Sequence, residues 1–146
     1  MTLDHVNTVI VGGGQAGLAM SAHLSEQGID HLVIERDRIA ERWRTARWDS
    51  LVANGPAWHD RFPMLEFEDC DGDGFATRDS VVRYFETVAE RIDAPVRCGV
   101  EVKRAARLPS GRGFRIETSD GVVTADHVVA ATGPFQTPVI PPVVPD

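Results

Sequence analysis

The sequence predicts an α/β domain: a parallel sheet with crossover helices and an antiparallel β-meander. Three observations carry that prediction. An apolar, β-branched run from Val6 to Val11 enters a glycine-rich turn, with Gly12, Gly14 and Gly17 in the spacing G-x-G-x-x-G. A second apolar run, His31 to Ile34, ends in Glu35, 23 residues after Gly12. A third, Asp126 to Ala131, ends in Thr132-Gly133 after a series of short strand patterns. Strands buried on both faces of a parallel sheet require such near-continuous apolar runs.

The first run is the natural first strand. Each glycine after it has a physical task in a dinucleotide site. Gly12 permits the tight turn, Gly14 lets the backbone approach a pyrophosphate, and Gly17 lets the next helix pack closely on the sheet. That helix opens at Gln15-Ala16 with its free N–H groups and positive dipole end toward the phosphates. Ala16, Ala19, Met20, His23 and Leu24 recur at helical spacing and predict its packed face, with His23 structural, and Gly28 ends it. An acid closing the second strand accepts hydrogen bonds from adenosine ribose hydroxyls and repels a 2′-phosphate, so Glu35 favours FAD or NAD over NADP.

Between Glu35 and the next strand pattern near Pro95 lie about 60 residues, longer than an ordinary crossover. They hold all three tryptophans, Trp43, Trp48 and Trp58, among Arg36, Arg38, Arg42, Arg44, Arg47 and Arg61. In an acidic chain this mixture suits an aromatic cofactor and its phosphates better than stacked nucleic-acid bases. The stretch Arg47 to Trp58 ends in Gly55-Pro56 and predicts a loop. Its Asn54 offers an amide that both donates and accepts, suited to a flavin ring edge, although a turn asparagine also commonly serves its own backbone. Asp69 to Gly74 imitates half of a calcium loop, but Ser80 stands where the closing glutamate would be, so a solvated turn is expected. Thr77 or Asp79 caps a helix from Ser80 to Ile92, with Val81, Tyr84, Phe85, Val88 and Ile92 as its core stripe. Val100 to Ala106, Gly113 to Thr118 and Gly121 to Thr124 predict the meander. The last parallel strand then brings Ala131, Thr132 and Gly133 to the sheet's carboxyl end, where ligands bind. Five of the nine prolines fall in Pro134 to Asp146, a linker-like tail.

Composition narrows the function classes. A net charge of −7 with no basic block argues against nucleic acid as a partner. Cys70 and Cys98 lack C-x-x-C spacing, which points to a reducing, cytoplasmic setting and away from a redox-cysteine reductase. No run reaches about 18 apolar residues, so no membrane span is expected, and no metal site is expected either.

With these pieces in place, the sequence resembles the FAD-binding N-terminal part of flavin-containing monooxygenase-like oxidoreductases. The resemblance rests on Gly12 to Gly17, Glu35, the Trp43 to Pro63 insertion, Phe75 to Asp79 before the helix, and Ala131 to Phe135 followed by Pro138 and Pro141. It implies a glutathione-reductase-like, Rossmann-type three-layer domain over 1–133, with an inserted segment at 39–78, a meander at 96–125 and a linker at 134–146. It implies FAD held by Gly12, Gly14, Gln15, Ala16, Gly17, Glu35, Arg36, Trp43, Arg44, Val102, Ala131, Thr132 and Gly133, with Asn54 close to the flavin. The implied cycle has NADPH reducing FAD and a flavin C4a-hydroperoxide oxygenating a small organic substrate. The NADPH domain and return segment of such enzymes are not in this chain, which looks like a truncated product and is not expected to be active alone. One departure stands out. Where many members read Gly-Gly-x-Trp, this chain reads Glu41-Arg42-Trp43-Arg44, so a positive-φ turn is harder to form there. Two other readings stay open: a non-catalytic remnant or interaction module, and an NAD-binding Rossmann domain.

Overall fold

The computed structural model describes residues 4–134, 137 and 139. Strand β1 (Asp4–Val11) leads through the glycine turn into helix α1 (Gln15–Glu26), and β2 (His31–Ile34) follows. The inserted segment carries two short helices, α2 (Glu41–Thr45) and α3 (Ala57–Asp60), and then the long helix α4 (Arg78–Arg91). Strands β3 (Val96–Arg97), β4 (Val102–Arg107), β5 (Phe114–Thr118) and β6 (Gly121–Ala130) complete one six-stranded sheet of order β3-β2-β1-β6-β5-β4. The strand pattern expected near Pro95 thus supplies a short parallel partner of β2, separate from the first meander strand.

The meander's third strand and the last parallel strand, read as two runs in the sequence, form the single ten-residue strand β6. Its first half pairs antiparallel with β5, from Thr118↔Gly121 to Phe114↔Ala125. It also pairs parallel with β1 over its length, from Asp4↔Val123 to Val11↔Ala130. Asp126, which looked like a boundary, is only an exposed position along the strand. The parallel register is what carries Ala131 to the level of Gly12: the Ala131 N–H donates to the Val11 carbonyl at 2.9 Å, and Gly12 N–H donates to the Ile34 carbonyl at 2.9 Å.

Two apolar clusters hold the layers. One gathers Leu18 of α1, Val81, Tyr84, Phe85 and Val88 of α4, and Ala53, Phe62 and Ala76 of the insertion. The other joins Val9, Leu32 and Ile34 to Ile116, Val123 and Ala125. The predicted face of α1 is displaced by about two positions. Gly17, Leu18, Ser21 and Ala22 are buried, Ala16 is exposed, and His23 lies in solvent beside Glu26. The cause is a buried polar pair that an apolar-only pattern overlooks. Ser21 bonds His31 Nε2 at 2.8 Å, and His31 Nδ1 lies 2.8 Å from the Ile29 carbonyl. A carbonyl only accepts, so Nδ1 carries a proton, and in the neutral ring Nε2 accepts from the serine hydroxyl. Helix α4 starts at Arg78, two residues before the predicted Ser80, because Thr77 and not Asp79 is the cap, its Oγ1 accepting from Ser80 N–H at 3.2 Å. Among the described residues, no helix is long and apolar enough to cross a membrane. Phe135, Pro138, Pro141 and nearly all of the predicted linker lie outside the described residues.

Candidate functional site

The carboxyl ends of β1, β2 and β6 open into a cleft of about 820 Å³, and most of the sequence-predicted residues meet there. Gly12, Gly14, Gln15 and Ala16 form one wall, Ala131, Thr132 and Gly133 another, and Glu35, Arg36 and Val102 line one end. Trp43 and Asn54 enter from the insertion. Two of the named residues do not line it. Gly17 is buried behind the turn, where a Cβ would stand 1.9 Å from the Gly12 carbonyl oxygen, so its hydrogen is what lets α1 lie against the strand exit. Arg44 turns away to pair with Glu86 of α4, and its Nε reaches the Ile39 carbonyl at 3.4 Å. It fastens α2 to α4. Beside a tryptophan and among many arginines, nothing in its local pattern distinguished it from Arg42 and Arg47, which do line the cleft.

The glycine turn is shaped from below and open above. Gly12 has φ +113°, and a Cβ there would sit 2.4 Å from the Ala131 carbonyl oxygen. At Gly14 a Cβ would meet nothing within 4 Å. Gly14 also caps α1 with no side chain, so the first-turn N–H groups of a 12-residue helix are left for whatever enters the cleft. Together, an uncapped helix start and free space over Gly14 are what an anionic group with several acceptor oxygens needs.

Glu35 is held ready at the neighbouring strand end. Its Oε2 accepts from Gly13 N–H at 2.6 Å and its Oε1 from Asp37 N–H at 2.9 Å. A carboxylate has about four acceptor positions, so two remain for hydroxyl donors. Backbone bonds tie this end together: Val100 N–H donates to the Glu35 carbonyl at 3.0 Å and Gly99 N–H to the Asp37 carbonyl at 2.9 Å. They place Glu101 and Val102 across from Glu35. Neither Asp37 nor Glu101 was singled out in the sequence, since charged residues at loop ends carry no periodic signal. The Cys98 thiol in the same turn is pushed above its ordinary pKa, chiefly by burial. Cys70 and Cys98 are both free thiols on separate elements.

The other end is aromatic and basic. Arg47 lies over the Trp43 ring at 5.7 Å from its centroid, and Arg61, Phe62, Pro63 and Phe85 add to the lining. Phe62 and Pro63 are set by Tyr84, whose hydroxyl accepts from Phe62 N–H at 2.7 Å and donates to the Leu65 carbonyl at 2.5 Å. Burial raises the Tyr84 pKa, which keeps that hydroxyl protonated and able to donate. Asn54 is exposed at the cleft edge, and the next residue is anchored, Gly55 N–H donating to Asp60 Oδ2 at 3.0 Å. Glu41 to Arg44, where a positive-φ turn is expected to be difficult, are helical, and the left-handed position falls on Ala40 instead, whose φ is +61° and which starts α2, with Trp43 N–H donating to its carbonyl at 2.9 Å. A left-handed alanine costs roughly 1–2 kcal/mol, and here its buried methyl offsets part of that.

The pyridine nucleotide-disulphide oxidoreductase family matches residues 9–144. The chain belongs to that family. It is 35% identical over 138 residues to an uncharacterised CzcO-like oxidoreductase of Geobacillus kaustophilus, covering 94% of this chain and 38% of that protein. It is 33% identical over 135 residues to an indole-3-pyruvate monooxygenase of Oryza sativa, covering 91% of this chain and 33% of that protein. A flavin-containing monooxygenase from Stenotrophomonas maltophilia superposes with TM-score 0.78 at 26% identity, over 90% of this chain and 39% of that one. The chain spans less than half the length of these relatives.

Proposed function

We propose that this chain binds FAD in the cleft and forms the FAD-holding part of a flavin-dependent monooxygenase-like oxidoreductase. The observation that carries the reading is the pairing of the open, uncapped helix start at Gly14 with the prepositioned carboxylate of Glu35 in one cleft. Gly12, Gly14, Gln15 and Ala16 would take the pyrophosphate through backbone N–H groups and the helix dipole. Glu35 would accept from ribose hydroxyls, Val102 would offer backbone to the adenine, and Arg36 would flank that end. Ala131, Thr132 and Gly133 would extend the wall beside the glycine turn, with Trp43 and Asn54 toward the ring system. Bound FAD supplies the electron transfer and dioxygen chemistry, with NADPH as reductant in the complete enzyme and a small organic molecule as substrate. The chain's own contribution is to bind, orient and shield. Asn54 would hold a hydrogen bond at the ring edge.

FAD titration followed by flavin fluorescence quenching tests the reading. The unaltered chain is expected to bind FAD and turn yellow, while Gly14→Val loses at least about 100-fold in affinity because the new side chain fills the pyrophosphate space. Its thermal unfolding should stay close to wild type, because the added Cβ meets no protein atom. Equal FAD affinity in Gly14→Val, or micromolar NAD binding without FAD binding, would overturn the proposal.

A further inference from the structure

Six large apolar residues are exposed among the described residues, and four of them, Trp48, Val52, Trp58 and Phe75, belong to the insertion. Their exposures are 66%, 41%, 58% and 51%, so each presents much of its side chain to solvent. These positions are not scattered tips. Residues 51–58 run against 72–78: Val52 bridges Thr77, and Ala53 N–H donates to the Ala76 carbonyl at 2.8 Å. Ala57 N–H donates to the Gly74 carbonyl at 2.8 Å and Trp58 N–H to the Gly72 carbonyl at 3.0 Å. Arg78 then reaches back to Asp49 at 2.7 Å, beside Trp48. Alternation along this ribbon buries Ala53 and Ala76 and turns Val52 and Phe75 outward. An ordered backbone carrying outward aromatics with a polar rim of Asp49, His59 and Asp60 has the anatomy of an interface.

We infer that this ribbon is the seat of a second domain, the part of the polypeptide that relatives carry beyond the length matched here. Two observations select that occupant. The matched segment is only 38% of the Geobacillus protein and 39% of the Stenotrophomonas monooxygenase chain, so most of each lies outside it and must pack somewhere. The same ribbon also carries Asn54 to the cleft, so a body resting on Trp58 and Phe75 would stand over the cleft's Asn54 end. The seat itself rests on the family membership; its position over a flavin rests on the FAD reading above.

The test is a hybrid in which this chain replaces the matching segment of the Geobacillus protein. Hydroxyl-radical footprinting with mass spectrometry then compares it with the 146-residue chain. Trp48, Trp58 and Phe75 are expected to be oxidised at least about fivefold more slowly in the hybrid, with exposed His5 as the unchanged reference. Equal rates in a hybrid that binds FAD would overturn the seat and leave the cofactor reading standing. Protection without FAD binding would do the reverse. Protection of the same residues in the 146-residue chain by concentration-dependent dimerisation would assign the surface to a second copy and overturn the inference. A parallel footprint of the natural Geobacillus protein, which does not depend on the hybrid folding, should find the positions aligned with Trp58 and Phe75 protected. Labelling there as strong as on its open surface would also overturn the inference.

Discussion

Removing one oxygen atom, in Tyr84→Phe, tests how the aromatic end of the cleft is held. The ring would keep its stacking on Phe67, 3.9 Å between centroids, and on Phe62, so packing changes little. Two hydrogen bonds disappear. Phe62 is only 5% exposed, and its N–H would be left without an acceptor, which costs about 1–3 kcal/mol. The Leu65 carbonyl is only half-buried, so water replaces the hydroxyl and adds little. The expected loss is about 2 kcal/mol, or about 1 M in the urea midpoint at an m-value of about 2 kcal/mol/M. Urea unfolding followed by circular dichroism measures it. Because Phe62 and Pro63 line the cleft, the same variant should bind FAD several-fold more weakly. A midpoint shift below about 0.25 M would show that Phe62 N–H finds another partner and that Tyr84 does not anchor this wall.

Three further outcomes follow from the geometry. Gly17→Ala should destabilise the fold by more than about 2 kcal/mol in thermal or urea unfolding, since its methyl would collide with the Gly12 carbonyl, whereas Gly14→Val spares stability and removes FAD binding. Ala40→Val should cost at least about 2 kcal/mol, because a β-branched residue resists φ +61°, and Ala40→Gly should be within about 1 kcal/mol of wild type as relief of strain and loss of a methyl cancel. The Asp69 carboxyl is held below its ordinary pKa, first by the hydrogen bond from Arg83, so its stabilisation is complete above about pH 4 and fades as pH falls through the lower folded value. Asp69→Asn should therefore flatten the acid limb of a stability-versus-pH curve, and an unchanged limb would count against the pairing.

The parts of the fold legible in the sequence were those with a strict steric or periodic demand. Gly12, Gly14 and Gly17 could be given separate tasks because a tight turn, an open approach and a close helix contact each exclude a side chain. The stripe on α4 emerged because it is apolar throughout. The α1 face was misplaced because Ser21 is buried for the sake of His31, a partner ten residues on whose bond no hydropathy pattern records. Arg44 was grouped with cleft residues because its partner, Glu86, is 42 residues away in sequence. Ala40 shows the converse case. The local rule against a left-handed alanine is sound, but the packing of α2 against α4 supplies enough to override it.

The continuity of β6 has a consequence for how this domain comes to exist. Val11 and Ala130 are partners across 119 residues of chain, and β6 is the strand that joins β1 to β5. Half of the sheet can therefore form early: β1, α1 and β2 are neighbours in sequence and close a short loop. The other half, the β4–β5 hairpin, is equally local. Joining them waits for a long-range closure that is entropically slow. The edge of β1 that faces β6 stays unpaired until that closure is made, and the positions of Ala131 to Gly133 depend on it. The cleft thus exists only when the two halves are joined, and a ligand held by both the glycine turn and Ala131 to Gly133 would act on the folding equilibrium itself.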